Sequence, residues 1–294
     1  MPQPLLIAQL TDTHVVGVGN THELFVDNNG RLEEAVRSLN AEVPAMSAVL
    51  GTGDLTNWGA PDEYAALADL LAPLRAPFLP LPGNHDDRDR LRAAYPEMPW
   101  VDADHASWMM TLGEPDGSRV RVIGLDSTIP GAPGAEFDDA REQWLRTALV
   151  NELVDGTPTI LALHHPPFLT GIDWMDRSGF HGRERLVAVL AEHPVDRIVC
   201  GHFHRPISSS VAGVVAQVGV STVQHVDLDL APMATPSVIR DPVGYQILRI
   251  HGRDIVGHTR FIDTGQQRII PAWADESTTS SADSGHGSPR STPS

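Results

Sequence analysis

The chain has 294 residues, 41% of them hydrophobic, enough for one large domain or two small ones. Its 38 acidic against 21 basic residues leave a formal net charge of -17, which repels polyanions and offers no basic face to duplex nucleic acid. A single cysteine, Cys200, excludes an internal disulfide and a thiolate zinc site, and reads as a small buried hydrophobe.

The first apolar run, Leu5 to Leu10, reads as a strand. It is too short for a signal-peptide core or for the roughly 20 residues that span a bilayer, so a soluble, cytoplasmic protein is expected. Arg31 to Asn40 places Leu32, Ala35, Val36 and Leu39 on one helical face. Ala48 to Leu50 forms a strand before Gly51-Thr52-Gly53-Asp54, and a helix runs from Pro61, at its first position, to Leu71. Phe78 to Leu81 leads into Pro82-Gly83-Asn84-His85. Strands at Val120 to Leu125, Thr159 to Leu163 and Arg197 to Cys200 then alternate with helices at Asp138 to Val150 and Arg183 to Glu192. This rhythm predicts an α/β fold whose polar side chains gather at the carboxyl ends of the strands.

From Ile207 the texture changes to strands at Ser208 to Val218, Tyr245 to His251 and Asp254 to Ile262, the last two joined as a hairpin at Gly252-Arg253. Asp227 to Asp241 is Pro-rich and reads as a long loop. The expected organisation is one catalytic domain over 1–274, with 207–270 completing its core and offering an oligomer contact. The Ser/Thr-rich stretch 275–294 is too polar to fold and is expected to be disordered.

Chemistry concentrates at the strand ends: Asp12-Thr13-His14, Gly53-Asp54, Gly83-Asn84-His85-Asp86, His164-His165 and Gly201-His202-Phe203-His204. One histidine after a strand is more often a hydrogen-bonded loop residue than a ligand. Five successive strand ends supplying oxygen or nitrogen donors are costly beside a core unless cations pair them, and imidazole with carboxylate suits divalent first-row metals. His22, His105, His193, His225, His251, His258 and His286 match no such position and read as surface or structural residues.

This ordered set resembles the calcineurin-like metallophosphoesterases. Gly53-Asp54-Leu55-Thr56-Asn57-Trp58-Gly59, the Asn-His-Asp ending and His164-His165-Pro166-Pro167 are similar to the class III cyclic nucleotide phosphodiesterase and glycerophosphodiester phosphodiesterase branch. The resemblance implies a four-layer αββα sandwich, two mixed β-sheets flanked by helices with the site at strand carboxyl ends. It also implies two divalent ions: one on Asp12, His14 and His204, the other on Asn84, His164 and His202, with Asp54 bridging. A carboxylate suits that bridge because its two oxygens can span cations roughly 3.5 to 4 Å apart. Iron, manganese, zinc and cobalt all fit such donors.

By the same resemblance, a hydroxide between the ions attacks phosphorus in line. Asp54 and His85 are then the catalytic residues, His85 binding the phosphoryl group and protonating the leaving oxygen. Asn84, His85, His165 and His181 are the expected substrate contacts, with His165 also readable as a hydrogen-bond partner behind the ligands. The segment His22 to Asp27 is a candidate cover, and Asp86 and Asp87 either orient ligand imidazoles or serve as helix N-terminal acids.

The implied function is hydrolysis of a small phosphodiester, 3′,5′-cyclic AMP first and a glycerophosphodiester second. The negative charge disfavours the nuclease branch. A non-catalytic scaffold would lack ligands, and none is missing here. Protein Ser/Thr phosphatases carry an arginine shortly after Gly-Asp and a glutamate after Asn-His; their absence here argues against phosphoprotein substrates. A homo-oligomer with neither nucleic-acid nor membrane partners completes the expectation.

Overall fold

Apolar side chains stand on both faces of the central strands, so each strand must be covered twice, and that requirement sets the layers. The computed structural model describes residues 4–17, 19, 26–101, 104–113, 117–150 and 156–262. In chain order the elements are β1 (Leu5–Leu10), α1 (Asn28–Ala41), β2 (Ala48–Thr52), α2 (Pro61–Leu71), β3 (Phe78–Leu81), α3 (Arg88–Ala94), β4 (Trp108–Gly113) and β5 (Arg119–Gly124). They continue as β6 (Thr128–Ile129), β7 (Ala132–Glu136), α4 (Asp139–Val150), β8 (Thr159–Ala162), α5 (Asp173–Asp176), β9 (Phe180–His181), α6 (Arg183–Glu192) and β10 (Arg197–Cys200). The last are β11 (Ile207–Val211), β12 (Val214–Val218), β13 (His225–Val226), β14 (Val238–Ile239), β15 (Gly244–His251) and β16 (Asp254–Phe261).

Two mixed sheets result. One has the order β16-β15-β1-β2-β3, with β1, β2 and β3 parallel. The other has the order β11-β12-β10-β8-β5-β4, parallel from β12 to β5 and closed by antiparallel strands at both edges. Alternation along each strand decides where its side chains go. Leu5, Ile7, Ala48, Leu50, Val122, Ile160, Ala162 and Val199 pack between the sheets. Their neighbours Ala8, Leu10 and Val49 turn outward against Leu32, Val36 and Leu67 of α1 and α2. Ile123, Leu161 and Ile198 turn the other way against Leu145, Leu186 and Leu190 of α4 and α6. The architecture is the four-layer αββα sandwich.

Several boundaries differ from the sequence reading for identifiable reasons. Helix α1 starts at Asn28, earlier than the apolar periodicity suggests, because the Asp27 side chain caps it by accepting from the Gly30 amide at 3.0 Å. The single strand expected over Ser208 to Val218 is a hairpin: Ala212 and Gly213 take φ of 50° and 81°, turning β11 back onto β12. Helix α3 buries only Leu91, which leaves little periodicity to read, and Asp87 caps it through the Arg90 amide. The Pro-rich stretch from Asp227 is mostly loop, but β13 and β14 pair across its base. The boundary at 274, the tail 275–294 and His22 lie outside the described residues.

Candidate metal centre

Parallel strands from two facing sheets end on the same edge, and their loops carry the predicted donors. Asp12 follows β1, Asp54 follows β2, Asn84 and His85 follow β3, His164 follows β8, and His202 and His204 follow β10. Backbone bonds fix the loops to each other: the Asp12 amide donates to Gly53 O at 3.0 Å, the His14 amide to Asp54 O at 2.9 Å and the Gly201 amide to His164 O at 2.8 Å. Five of these residues are bent into the left-handed region, Asp12, His14, Asp54, His202 and His204, with φ between 43° and 74°. Such a conformation costs about 1–3 kcal/mol per non-glycine residue and persists where the surroundings over-determine it.

The side chains converge. Asp12, His14, Asp54 and His204 form one buried group, and His164, His165 and His202 a second, with all donor atoms of each group within 4.8 Å of one another. Asp54 stands between them: its Oδ2 lies 3.7 Å from His14 Nε2 and 3.3 Å from His164 Nε2. Its Oδ1 accepts the His85 amide at 2.9 Å. Asp12 accepts from Thr11 Oγ1 at 2.8 Å and from the His202 amide at 2.9 Å, and lies 3.5 Å from His204 Nε2.

The outer nitrogens of the rings are spoken for by main-chain carbonyls, which only accept. His164 Nδ1 donates to Thr52 O at 2.9 Å and His204 Nδ1 to Gln224 O at 2.8 Å. Each ring therefore turns Nε2 inward. His204 Nε2 comes within 3.2 Å of His14 Nε2. His164 Nε2 and Asn84 Oδ1 are buried with no hydrogen-bond partner. Inward-facing nitrogens, an orphaned amide oxygen and two carboxylates gathered in one buried place form a donor set that suits two divalent cations.

Burial shapes the charges. It holds His14 well below its ordinary pKa and His202 at about 3. Burial raises Asp12. For Asp54 burial works against ionisation, but the surrounding His164, His85 and His14 outweigh it and hold the carboxyl well below its usual range. Burial likewise opposes charge on His164, and Asp54 overcomes it, pushing that ring up to about 9.

The remaining expected residues fall differently. His85 is half-buried with Nδ1 donating to Asn57 O at 2.7 Å, and it stands edge-on to His14 at 4.7 Å between ring centroids. His165 is buried behind the cluster, between Ser127 Oγ at 2.9 Å and Pro133 O at 3.3 Å, so it backs His164 and His202 rather than facing the open cavity. His181 sits exposed on β9, and its carbonyl receives the Phe137 amide; it lines neither the cavity beside His85 nor the recess beside His165. Asp86 orients no imidazole: it accepts the amides of Leu55, Thr56 and Gly83 at 2.9–3.0 Å, tying the Asp54 loop to the Asn84 loop.

Sequence reading missed the supports. Gln9 of β1 donates to Thr52 Oγ1 at 2.8 Å and Cys200 O at 2.7 Å, joining the two sheets beneath the site. Ser221 donates to Asp12 O at 2.8 Å. A glutamine inside the apolar run Leu-Leu-Ile-Ala-Gln-Leu was the available signal. Glycine admits the close approaches: a Cβ on Gly83 would meet the Asp54 amide nitrogen at 2.2 Å, and one on Gly53 the His164 ring at 2.5 Å.

Beside the cluster opens a cavity of about 590 Å³ lined by Trp58, Asn84, His85, Arg88, Asp104 and Thr128 among others.

Comparison with known proteins gives a consistent picture. The calcineurin-like phosphoesterase family model matches residues 5–206. A probable cyclic nucleotide phosphodiesterase of Rhodococcus erythropolis is 35% identical over 235 residues, covering 78% of this chain and 75% of that protein. A probable glycerophosphodiester phosphodiesterase of Arcobacter nitrofigilis is 30% identical over 245 residues, covering 83% and 88%. The fold is shared with a dimetal phosphatase from Danio rerio, at a TM-score of 0.63 and 13% identity over 88% of this chain and 99% of that one.

Proposed function

This chain belongs to the calcineurin-like phosphoesterase family, and from that premise we propose that it hydrolyses small phosphodiesters at a two-metal centre, with 3′,5′-cyclic AMP as its preferred substrate. The observation that carries the reading is the placement of Asp54, one carboxylate oxygen between two donor groups that each hold histidines. Asp12, His14 and His204 would hold one ion, Asn84, His164 and His202 the other, and Asp54 would serve both. Two divalent ions held there supply positive charge to the phosphoryl oxygens and lower the pKa of water enough to make a nucleophile at neutral pH.

The chain's own residues do the rest. His85 Nδ1 is committed to the Asn57 carbonyl, so Nε2 is the atom that carries the transferable proton. When protonated it donates to the leaving oxygen, general acid help worth about 10²–10⁴ in rate. Asp54 Oδ1, by accepting the His85 amide, fixes this proton donor relative to the bridging carboxylate. Thr52 O and Gln224 O hold the His164 and His204 rings at fixed rotation, so little reorganisation accompanies the reaction.

Small substrates are favoured over polymers because the formal net charge is -17. A glycerophosphodiester is the second reading, supported by the Arcobacter relative's name. Absence of a nucleic-acid or membrane partner, a cytoplasmic location and a homo-oligomeric state complete the proposal. Among the described residues no helix is long and apolar enough to cross a membrane. Chelation followed by dialysis should abolish hydrolysis of 3′,5′-cyclic AMP, and Mn²⁺ or Fe²⁺ should restore it. Activity that survives exhaustive chelation contradicts the two-metal reading.

A further inference from the structure

The metal cluster accounts for a phosphoryl group, yet the cavity beside it is about 590 Å³, the size of a site for a whole small molecule. One wall of it is Trp58. Among the described residues this is the one exposed tryptophan, with 60% of its surface open to solvent, while Trp108 is fully buried. Burying such a ring inside the protein would be favourable, so its exposure at a cavity mouth is notable.

Its backbone is rigid. The Trp58 amide donates to the buried Glu63 carboxylate at 2.8 Å, and the Ala60 amide shares the same oxygen at 3.0 Å. On one side, the Asn57 carbonyl receives the His85 ring proton. On the other, Gly59, at φ 65°, lies so close to the His85 chain that a Cβ there would meet His85 O at 3.2 Å and the Asp87 amide at 2.9 Å. Trp58 and His85 are thereby held as one unit, their ring centroids 6.4 Å apart with planes inclined by 53°. The indole thus stands beside the proton donor on the wall of the same cavity.

The rest of the wall argues for an uncharged substituent on the phosphodiester. Arg88 spends its guanidinium on Asp126, Thr128 and the Asp104 carbonyl. Arg92 donates to the carbonyls of Val101 and His105. Asp87, Asp89 and Asp104 also line the cavity and disfavour a second anion, while accepting from hydroxyl or amino groups. A flat neutral ring with N–H or O–H donors suits this wall, and a short acyclic alcohol leaves the indole uncovered.

We propose that Trp58 is a stacking platform for the nucleobase of a nucleoside phosphodiester, making it the residue that selects nucleotides over glycerophosphodiesters. This rests on the phosphodiesterase reading and names the part of the substrate that reading leaves open. Stacking of a base on an aromatic side chain corresponds to roughly 5- to 150-fold in affinity.

The test compares binding of 5′-AMP and ribose 5-phosphate to the full chain, wild type, Trp58→Ala and Trp58→Phe, by titration calorimetry in the presence of Mn²⁺. The wild type should bind 5′-AMP about 10-fold or more tighter than ribose 5-phosphate. Trp58→Ala should erase that preference while leaving ribose 5-phosphate affinity unchanged, and Trp58→Phe should keep most of it. Equal binding of both ligands by the wild type, or equal weakening of both in Trp58→Ala, overturns the assignment. Melting curves of the exposed-site variants should match the wild type. Hydrolysis is followed separately: wild type that turns over neither cyclic AMP nor glycerophosphocholine defeats the phosphodiesterase reading, whereas the AMP preference tests Trp58 alone.

Discussion

At the scale of single residues, Asp54 and His85 divide the chemistry between them, and their substitutions should fail differently. Asp54 touches both donor groups, so Asp54→Ala should leave purified protein with little of either metal and almost no activity, read by elemental analysis beside turnover. His85 contributes a main-chain amide to Asp54 and no ring nitrogen to the cluster, so His85→Ala should retain metal while kcat falls by about 10²–10⁴. Equal metal loss in both variants would make His85 a ligand. The set was visible in the sequence as far as residue type allows: Asp12, His14, Asp54, Asn84, His164, His202 and His204 could be picked out as loop donors, with His85 beside them. What the sequence could not show is orientation. His165 neighbours His164 in the chain but turns behind it to Ser127, and His181 stays on an exposed strand, because side-chain direction after a turn depends on φ and on partners far away in the chain.

At the scale of elements, the site exists because two sheets end at one edge and their loops are tied together. Asp86 is the clearest tie, serving three amides from two loops. Asp86→Ala strands those donors, and a lost buried partner costs about 1–3 kcal/mol. The variant should melt lower and lose kcat with its metal content largely kept, since no ligand is removed. Beneath the loops, Leu50 fills space between the sheets at 1% exposure, and Leu50→Ala should lower stability by about 2–5 kcal/mol in chemical denaturation. The parallel strands were legible because their apolar runs end in Gly, Asp or His. The small sheet of β6, β7 and β9 was not, since strands of two to five residues carry too little alternation to register. The turn at Ala212-Gly213 escaped for a related reason: the alternation of β11 runs on into β12, and the positive φ of Ala212 and Gly213 marks the reversal.

At the scale of the whole molecule, net charge and local charge part company. The acid excess of the surface stands against polymers, while a cluster that holds two dications receives a small anion. Acid should destabilise the fold through its buried histidines. His225, on β13, is held at about 4 by burial, against 6.5 for the free ring. The unfolded chain therefore takes up this proton first as pH falls, so the contribution of His225 is complete above about pH 6.5 and is lost toward pH 4. His225→Leu should lose less stability than the wild type between pH 7 and pH 4.5 in paired thermal melts; parallel losses would place the acid sensitivity elsewhere.

The most direct measurement is a substrate panel at fixed Mn²⁺: 3′,5′-cyclic AMP, 2′,3′-cyclic AMP, glycerophosphocholine, a phosphomonoester and single-stranded DNA, ranked by kcat/KM. A small-phosphodiester hydrolase that prefers cyclic nucleotides puts 3′,5′-cyclic AMP first, glycerophosphocholine behind it, and the monoester and DNA last. A phosphomonoester or DNA at the head of that ranking would contradict the account.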